Sequence, residues 1–459
     1  MTSDSRPVRP DSPDLILHGG IIHTLDANAA VVEALAVSGG RVVATGTTRD
    51  IRALAGPETR TIDLAGRTVL PGINDAHIHA TWLGASWPRL MFDDPETDWH
   101  GRFLPNRAAR RAAILRAFRL MASLGITSFT EPGLGPGEDD GPTGCFGSDV
   151  LDLYAELAGE GVATARVTVL RLFGLLDGPS DLAAYEAGLN TVLPKTDPEW
   201  VNVTGIKIFG DGIPPMKTAW VLDDYDDGTH GALLTGTGDD EARQAVFERM
   251  IRLAHDRGHQ IGVHATGDRT IEVFVSTIEA LGGAGGRGHY VIHGDLLRPE
   301  QLARLAAAGI GLALQPLIAE RSRGWMSDSV TPEVARRSFP MADIFASPVL
   351  AILSSDAPIA SPDWRRIVAS AARQWAATGR VIGRDEITQL LRMYTTRPAA
   401  QDGAAAWKGA LEPGKVADLC VLSDDPYRVG AEALESLSVE LTIVGGRVVF
   451  DAAQETVPA

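Results

Sequence analysis

The apolar pattern divides the chain into three stretches. At the start, short apolar runs alternate with glycine turns: Leu15-Ile16-Leu17 before Gly19-Gly20, then Ile21-Ile22-His23-Thr24-Leu25, then Ala34-Leu35-Ala36-Val37, then Arg41-Val42-Val43-Ala44 after Ser38-Gly39-Gly40. Short strands parted by such turns are hairpin signals. The far end repeats the style in Ala417-Asp418-Leu419-Cys420-Val421-Leu422, Leu441-Thr442-Ile443-Val444 and Arg447-Val448-Val449-Phe450. An apolar edge strand in either part needs a partner. The two ends are therefore expected to form one small β-sandwich, from 1–69 and 406–459, around a central domain at 70–405.

The central stretch alternates strand and helix, the mark of a parallel sheet. Eight apolar strands are predicted. They end at Asp75-Ala76-His77, Thr127-Ser128-Phe129-Thr130, Val169-Leu170-Arg171-Leu172, Ile206-Lys207-Ile208, Gly262-Val263-His264, Val291-Ile292-His293, Leu312-Ala313-Leu314-Gln315 and Ile352-Leu353-Ser354-Ser355. Helical spacing separates most of them: Ile114, Phe118 and Met121 share one face, and Val246, Met250 and Leu253 another. The predicted fold is α/β, a (β/α)8 TIM-like barrel with the small sandwich attached. A doubly wound open sheet is the alternative, but no Gly-x-Gly-x-x-Gly follows an early strand.

Composition narrows the function classes. A net charge of -17 argues against a nucleic-acid partner, which needs a clustered basic surface. The two cysteines, Cys145 and Cys420, read as free thiols of a reducing cytosol. The segment 1–14 is polar, with no apolar stretch of signal-peptide type, and reads as a frayed start. No apolar run reaches the ~20 residues of a membrane span. A cytoplasmic protein is expected, without membrane or nucleic-acid partners, as a monomer or a symmetric homodimer.

The chemistry sits at the strand ends. Of eleven histidines, His77, His79, His264 and His293 end three predicted strands. The C-terminal strand ends of a barrel form one rim, where active sites lie. One histidine there is usually structural; four are most simply explained by a metal. In His77-Ile78-His79 both rings face one side of the chain, because residues i and i+2 do so in a strand. Asp356 closes the eighth strand, where a carboxylate can bind metal and accept a proton from metal-held water; its plainer reading is a helix N-cap. Lys207 lies in an apolar strand, where an ammonium is costly unless paired. A neutral lysine that has reacted with CO2 becomes a carbamate, an anionic oxygen ligand able to bridge two metals.

These segments together resemble the amidohydrolase superfamily, within it the amidohydrolase-3 group of YtcJ-like proteins and N-substituted formamide deformylases. The matching motifs are Pro71-Gly72-Ile73-Asn74-Asp75-Ala76-His77-Ile78-His79, Lys207-Ile208-Phe209-Gly210-Asp211-Gly212, Val263-His264-Ala265-Thr266-Gly267-Asp268, Ile292-His293-Gly294, Ser354-Ser355-Asp356-Ala357-Pro358 and Leu411-Glu412-Pro413-Gly414-Lys415-Val416-Ala417-Asp418-Leu419. The resemblance implies two divalent metals, zinc first, with manganese and iron compatible. His77 and His79 would hold one and His264 and His293 the other, with an N6-carboxylated Lys207 between them and Asp356 on the first. It implies hydrolysis of a small molecule's C–N bond (amide, formamide or cyclic amide), with Asp356 as general acid and base. Carbamates and esters are alternative substrates.

Two features depart from that pattern. The chain is short for the group, with a trimmed stretch after His79. Glu131 adds a carboxylate to the rim, where it touches metal or substrate, caps a helix or pairs with an arginine. Asp268 is expected to orient His264 or a rim loop. The stretch from Asp211 to Asp240 is long, acidic and glycine-rich, as lids are. Trp82, Trp87, Trp220 and Trp325 fall on loops after strands, to line a pocket for a bulky substrate or simply to pack those loops. A mononuclear deaminase competes with the hydrolase reading. Deaminases of this superfamily place a Glu shortly after the fifth-strand His, where this chain has Ala265, Thr266 and Gly267. A non-catalytic binding protein on a retained barrel is the third reading, though it would have no use for the full ligand set.

Overall fold

The computed structural model describes residues 12–454. Most of the expected frayed start, 1–11, lies outside them. Eight parallel strands follow one another in chain order within a single sheet: Ile73–Asp75, Ile126–Leu134, Arg166–Leu172, Val201–Phe209, Gln260–Ala265, Tyr290–His293, Gly311–Leu314 and Ala351–Leu353. Every residue of most of these strands is buried. Helices cover a barrel sheet outside and side chains fill it inside, so its strands read as unbroken apolar runs rather than alternating ones.

The sheet closes on itself just past its first and eighth strands. Ile78 and Ala357 form a parallel bridge. The Asp356 N–H donates to the His77 carbonyl at 2.8 Å, and the His79 N–H to the Ala357 carbonyl at 2.8 Å. Side chains plug the interior: Ala76, Leu170, Tyr290, Ile292, Ala313 and Ile352 form one buried cluster. Gly262 faces it, and a Cβ there would lie 2.6 Å from Leu170 Cδ1. The barrel is thus a packed core whose chemistry lies at the rim.

The predicted helix faces are present, with one shift. Ile114, Phe118 and Met121 are buried on Arg107–Ser123. On Asp240–Asp256 the buried face is Phe247, Met250, Ile251 and Ala254, one residue round from the expected stripe; Val246 and Leu253 flank it half-buried.

The chain ends form two facing sheets. One holds Arg41–Gly46, Ala34–Ser38, Leu15–His18 and Arg60–Asp63 in that order; the other holds Arg447–Asp451, Val439–Val444, Leu419–Leu422, Thr68–Pro71, Ile21–His23 and Val31–Val32. Leu419–Leu422 pairs antiparallel with Thr68–Pro71, so both ends of the chain share one sheet. Leu17, Leu35, Val69, Leu419, Val421 and Ile443 are among the residues of the core between the sheets.

A buried ion pair fastens this unit to the barrel. Arg166, at the start of the third barrel strand, donates from Nε and Nη2 to both oxygens of Asp418, at 2.7 and 3.1 Å. Its third nitrogen reaches the Glu199 carbonyl at 2.9 Å, and Trp200 stacks 4.6 Å from the guanidinium. Asp418 Oδ1 also accepts from the Gly445 N–H at 2.8 Å. Asp418→Ala strands a buried guanidinium and should cost about 3–5 kcal/mol, whereas exchanging both partners for apolar residues of similar volume should cost far less. Thermal unfolding midpoints of the two variants check this; equal losses would contradict it.

Candidate active site at the barrel rim

The six expected ligand residues meet at one rim. His77, His293 and Asp356 each offer an atom, and these atoms lie within 4.8 Å of one another. Asp356 Oδ1 is 3.2 Å from His77 Nε2 and 3.4 Å from His79 Nε2. The rings of His264 and His293 are 4.5 Å apart, those of His77 and His293 5.6 Å. Lys207 is fully buried on the fourth strand, two residues before Phe209, which is level with His264 on the fifth.

Backbone strain helps aim these groups. Asp356 has φ 57° and His293 φ 78°, left-handed values that cost side-chain-bearing residues of order 1–3 kcal/mol. Asp75 supports the seam from beneath: its Oδ1 accepts the N–H of His77 at 3.2 Å and of Ser355 at 3.1 Å. Burial pushes its carboxyl up to about 7, against those donors. Asp75 was not singled out by sequence, although it stands in the motif with His77 and His79.

Several rings are fixed through their second nitrogen. His293 Nδ1 donates to Gln315 Oε1 at 2.9 Å, and Gln315 Nε2 donates to Ser354 Oγ at 2.9 Å. His264 Nε2 donates to the Gly212 carbonyl at 3.1 Å, which leaves its Nδ1 lone pair free. Gln315, at the seventh strand's end, is a second residue the sequence reading passed over.

Glu131 takes one of the roles expected for it, the helix cap, and adds another, a place behind His79. Its Oε2 accepts from the Ala80 N–H at 2.9 Å and from Tyr154 Oη at 2.8 Å, capping the helix Ala80–Ser86. Its Oε1 is buried, has no hydrogen-bond partner and lies 3.5 Å from His79 Nδ1. A carboxylate behind one imidazole nitrogen keeps the proton there and the other nitrogen free, an arrangement common behind metal-binding histidines. No arginine pairs with Glu131 among the described residues.

Electrostatics suit a cation. Burial holds His77 and His264 down at about 3 and His293 well below its ordinary value, so these imidazoles are neutral, the ligand form. Burial would lower His79 as well, but hydrogen bonds to Asp356 and Glu131 outweigh it and hold it at about 9. Asp356 is driven well below the carboxylate range: burial opposes ionisation, and the charges and hydrogen bonds of His77, His79 and His293 overcome it. Burial lowers Lys207 to about 8 against the carboxylates of Asp356 and Asp177. His77 Nδ1 is also buried without a partner. Three neutral imidazoles, and a charged His79 that would give up its proton, fit one or more divalent metals around a fixed carboxylate.

The other expected residues divide. Asp268 lies away from His264 and anchors the rim loop: it accepts from the Leu222 N–H at 2.9 Å and from Arg298 Nε at 2.7 Å, while Arg298 and Arg337 also hold Asp223. Asp211 pins the same loop through the N–H groups of Trp220, Thr266 and Gly267 and through Thr270 Oγ1. Trp220 is fully buried there, its Nε1 donating to Asp240 and Arg269 stacked 4.1 Å away. It packs the loop root rather than a pocket. Trp325 is 58% exposed and stacks on Phe92, and Trp87 is 43% exposed. Trp82 is buried beside the site, 6.2 Å from the His79 ring, with Trp99 and Phe146 around it.

Two outcomes are expected. Glu131→Gln should weaken divalent-metal binding about 10–100-fold with unchanged circular dichroism, read by competition with a chelating dye; equal affinity would remove its role behind His79. In chelator-treated protein, His77 and His264 have folded values lowered from 6.5 to about 3. Their contribution is therefore full above pH 6.5 and lost as pH falls toward 3, whereas that of His79 is full below 6.5 and lost as pH rises through 9. The unfolding midpoint should fall on the acid side, and less steeply in His264→Gln; the same slope in that variant would contradict the assignment.

Comparison with known proteins gives the family and the fold. Residues 100–450 match the profile of the Amidohydrolase family, a region that begins after His77 and His79. The chain is 24% identical to YtcJ of Bacillus subtilis (strain 168), a protein named as an amidohydrolase, over 95% of this chain and 99% of that one. It is also 24% identical to the N-substituted formamide deformylase of Arthrobacter pascens, over 94% and 97%. Those alignments span 537 and 538 positions against 459 residues here, so the relatives carry segments this chain lacks. Among solved structures, an uncharacterized metal-dependent hydrolase of Pyrococcus horikoshii OT3 superposes with a TM-score of 0.71 at 20% identity, covering 91% of this chain and 99% of that one. An adenosine deaminase of Xanthomonas campestris with bound zinc superposes with a TM-score of 0.65 at 17% identity, covering 98% and 96%. By the extent of the profile match, the chain belongs to the amidohydrolase family.

Proposed function

We propose that this protein is a metal-dependent hydrolase of a small molecule's amide-type C–N bond, with Asp356 as general acid and base. The observation that carries this reading is the convergence of four histidines, three of them buried and His293 half-buried, and Asp356 on one rim, with Lys207 buried on the neighbouring strand. His77, His79 and Asp356 would hold one divalent metal, and His264 and His293 a second. A bound metal supplies Lewis acidity and lowers the pKa of its water toward ~7.

The chain's own groups divide the remaining work. Lys207, lowered to about 8, has a neutral fraction at neutral pH able to attack CO2. Its nitrogen lone pair would form the new C–N bond, a proton would leave the nitrogen for solvent, and the resulting carbamate would offer anionic oxygens as metal ligands. Asp356, at the seam beside His77 and His79, takes the proton of the attacking water and returns it to the departing amine. The loop held by Asp211 and Asp268 meets the site through the Gly212 carbonyl on His264 and would help screen the reaction from bulk water. Zinc suits this ligand set, as do manganese and iron. The resemblance to a formamide deformylase makes N-substituted formamides the first substrates to test.

A panel of formamides, linear and cyclic amides, carbamates and esters, assayed with the purified enzyme, tests the reading. Hydrolysis of at least one amide-type substrate is expected. Asp356→Asn should fold normally yet lose about 10²–10⁴-fold in turnover; full turnover in that variant would refute its role. Amine release from aminated heterocycles without any amide hydrolysis would favour the deaminase reading.

A further inference from the structure

A cleft of about 670 Å³ opens outside the rim, between the helices Pro316–Ser329, Pro332–Arg337 and Trp364–Ala376. Four arginines line it, Arg323, Arg336, Arg337 and Arg373, against two carboxylates, Glu320 and Asp343. In a chain of net charge -17 this is a local reversal of sign. We propose that the cleft binds a small anionic molecule, a dicarboxylate or a phosphate ester.

The pairing of the four guanidiniums sets that charge. Arg373 is committed to Glu320 at 3.0 Å, and Arg337 to Asp223 and Asp268 at 3.2 Å each. Arg323 has Gln374 Oε1 at 3.4 Å and the Phe339 ring 5.8 Å from its guanidinium, and Arg336 is exposed. Among the described residues, neither Arg323 nor Arg336 forms an ion pair. Against these two free guanidiniums stands one lining carboxylate without an ion pair, Asp343, so the cleft keeps an excess of positive charge, and each free guanidinium offers the planar donor fork that fits a carboxylate or phosphate. The volume matches a metabolite-sized ligand.

The cleft also borders the catalytic rim. Phe339, Pro340 and Met341 line it on one side and, on the other, line a small cavity beside His293 and Asp295. Phe339 is held in a left-handed conformation, φ 51°, and its N–H donates to the Asp295 carbonyl at 2.7 Å. An anion drawn to Arg323 and Arg336 would sit against this shared wall. The inference does not depend on the hydrolase reading, since it concerns residues outside the metal set.

Calorimetric titration of the full-length protein with inorganic phosphate and with succinate, at low ionic strength, tests it. One saturable site per chain is expected for at least one of the two anions, and whichever binds names the head group. Affinity should fall with added salt and drop about tenfold or more in Arg323→Ala/Arg336→Ala, a loss of about 1.4 kcal/mol or more. Arg336→Glu, an exchange at an exposed residue, should show the same loss with an unchanged unfolding midpoint. No saturable binding of either anion overturns the inference. So does equal affinity in the variants, which would place the anion elsewhere, as on a metal.

Discussion

The seam between the first and eighth barrel strands is the constraint on which the site depends. Two backbone hydrogen bonds and one bridge join 77–79 to 356–357. The same contacts that close the sheet bring His77, His79 and Asp356 to one point, although they are far apart in sequence. Asp75 makes the seam polar inside: one carboxylate oxygen satisfies N–H groups from both edges. Were the barrel open here, the histidine pair and Asp356 would lie on separate sheet edges.

From that seam the rim is built by fixing rings rather than by placing charges. Gln315 holds His293, the Gly212 carbonyl holds His264, and Glu131 stands behind His79. Burial keeps most of the imidazoles neutral, and the fixed hydrogen bonds decide which lone pair each presents. The left-handed backbones of His293 and Asp356 fit this picture: strain persists where the surroundings over-determine it, and functional sites are where it gathers.

Much of this was legible in the sequence, for a physical reason. Parallel strands buried on both faces are apolar throughout, so a histidine or aspartate at such a strand's end stands out, as His264, His293 and Asp356 do. The strand–helix alternation likewise announced the barrel. What escaped were residues whose meaning lies in a partner distant in sequence. Gln315 looks like any polar strand end until His293 lies beside it, and Asp75 until Ser355 does. Trp220 looked free to line a pocket because nothing local announces that Asp240 takes its N–H and Arg269 its ring. Asp268 follows His264 closely in sequence but starts a helix, which carries its carboxylate toward the arginines of the rim loop.

The two sheets from the chain ends stabilise this arrangement at a distance. The Arg166–Asp418 pair ties the third barrel strand to the sheet shared by both ends, so a family motif far from the rim is explained by barrel anchorage rather than chemistry. The rim itself carries the central claim, a two-metal centre with Lys207 between the histidine pairs. Metal content by inductively coupled plasma mass spectrometry, on protein purified without chelators in bicarbonate buffer, tests it most directly. The account predicts about two divalent metals per chain and a clear loss in Lys207→Ala; a single metal unaffected by that substitution, or none after reconstitution, would contradict it.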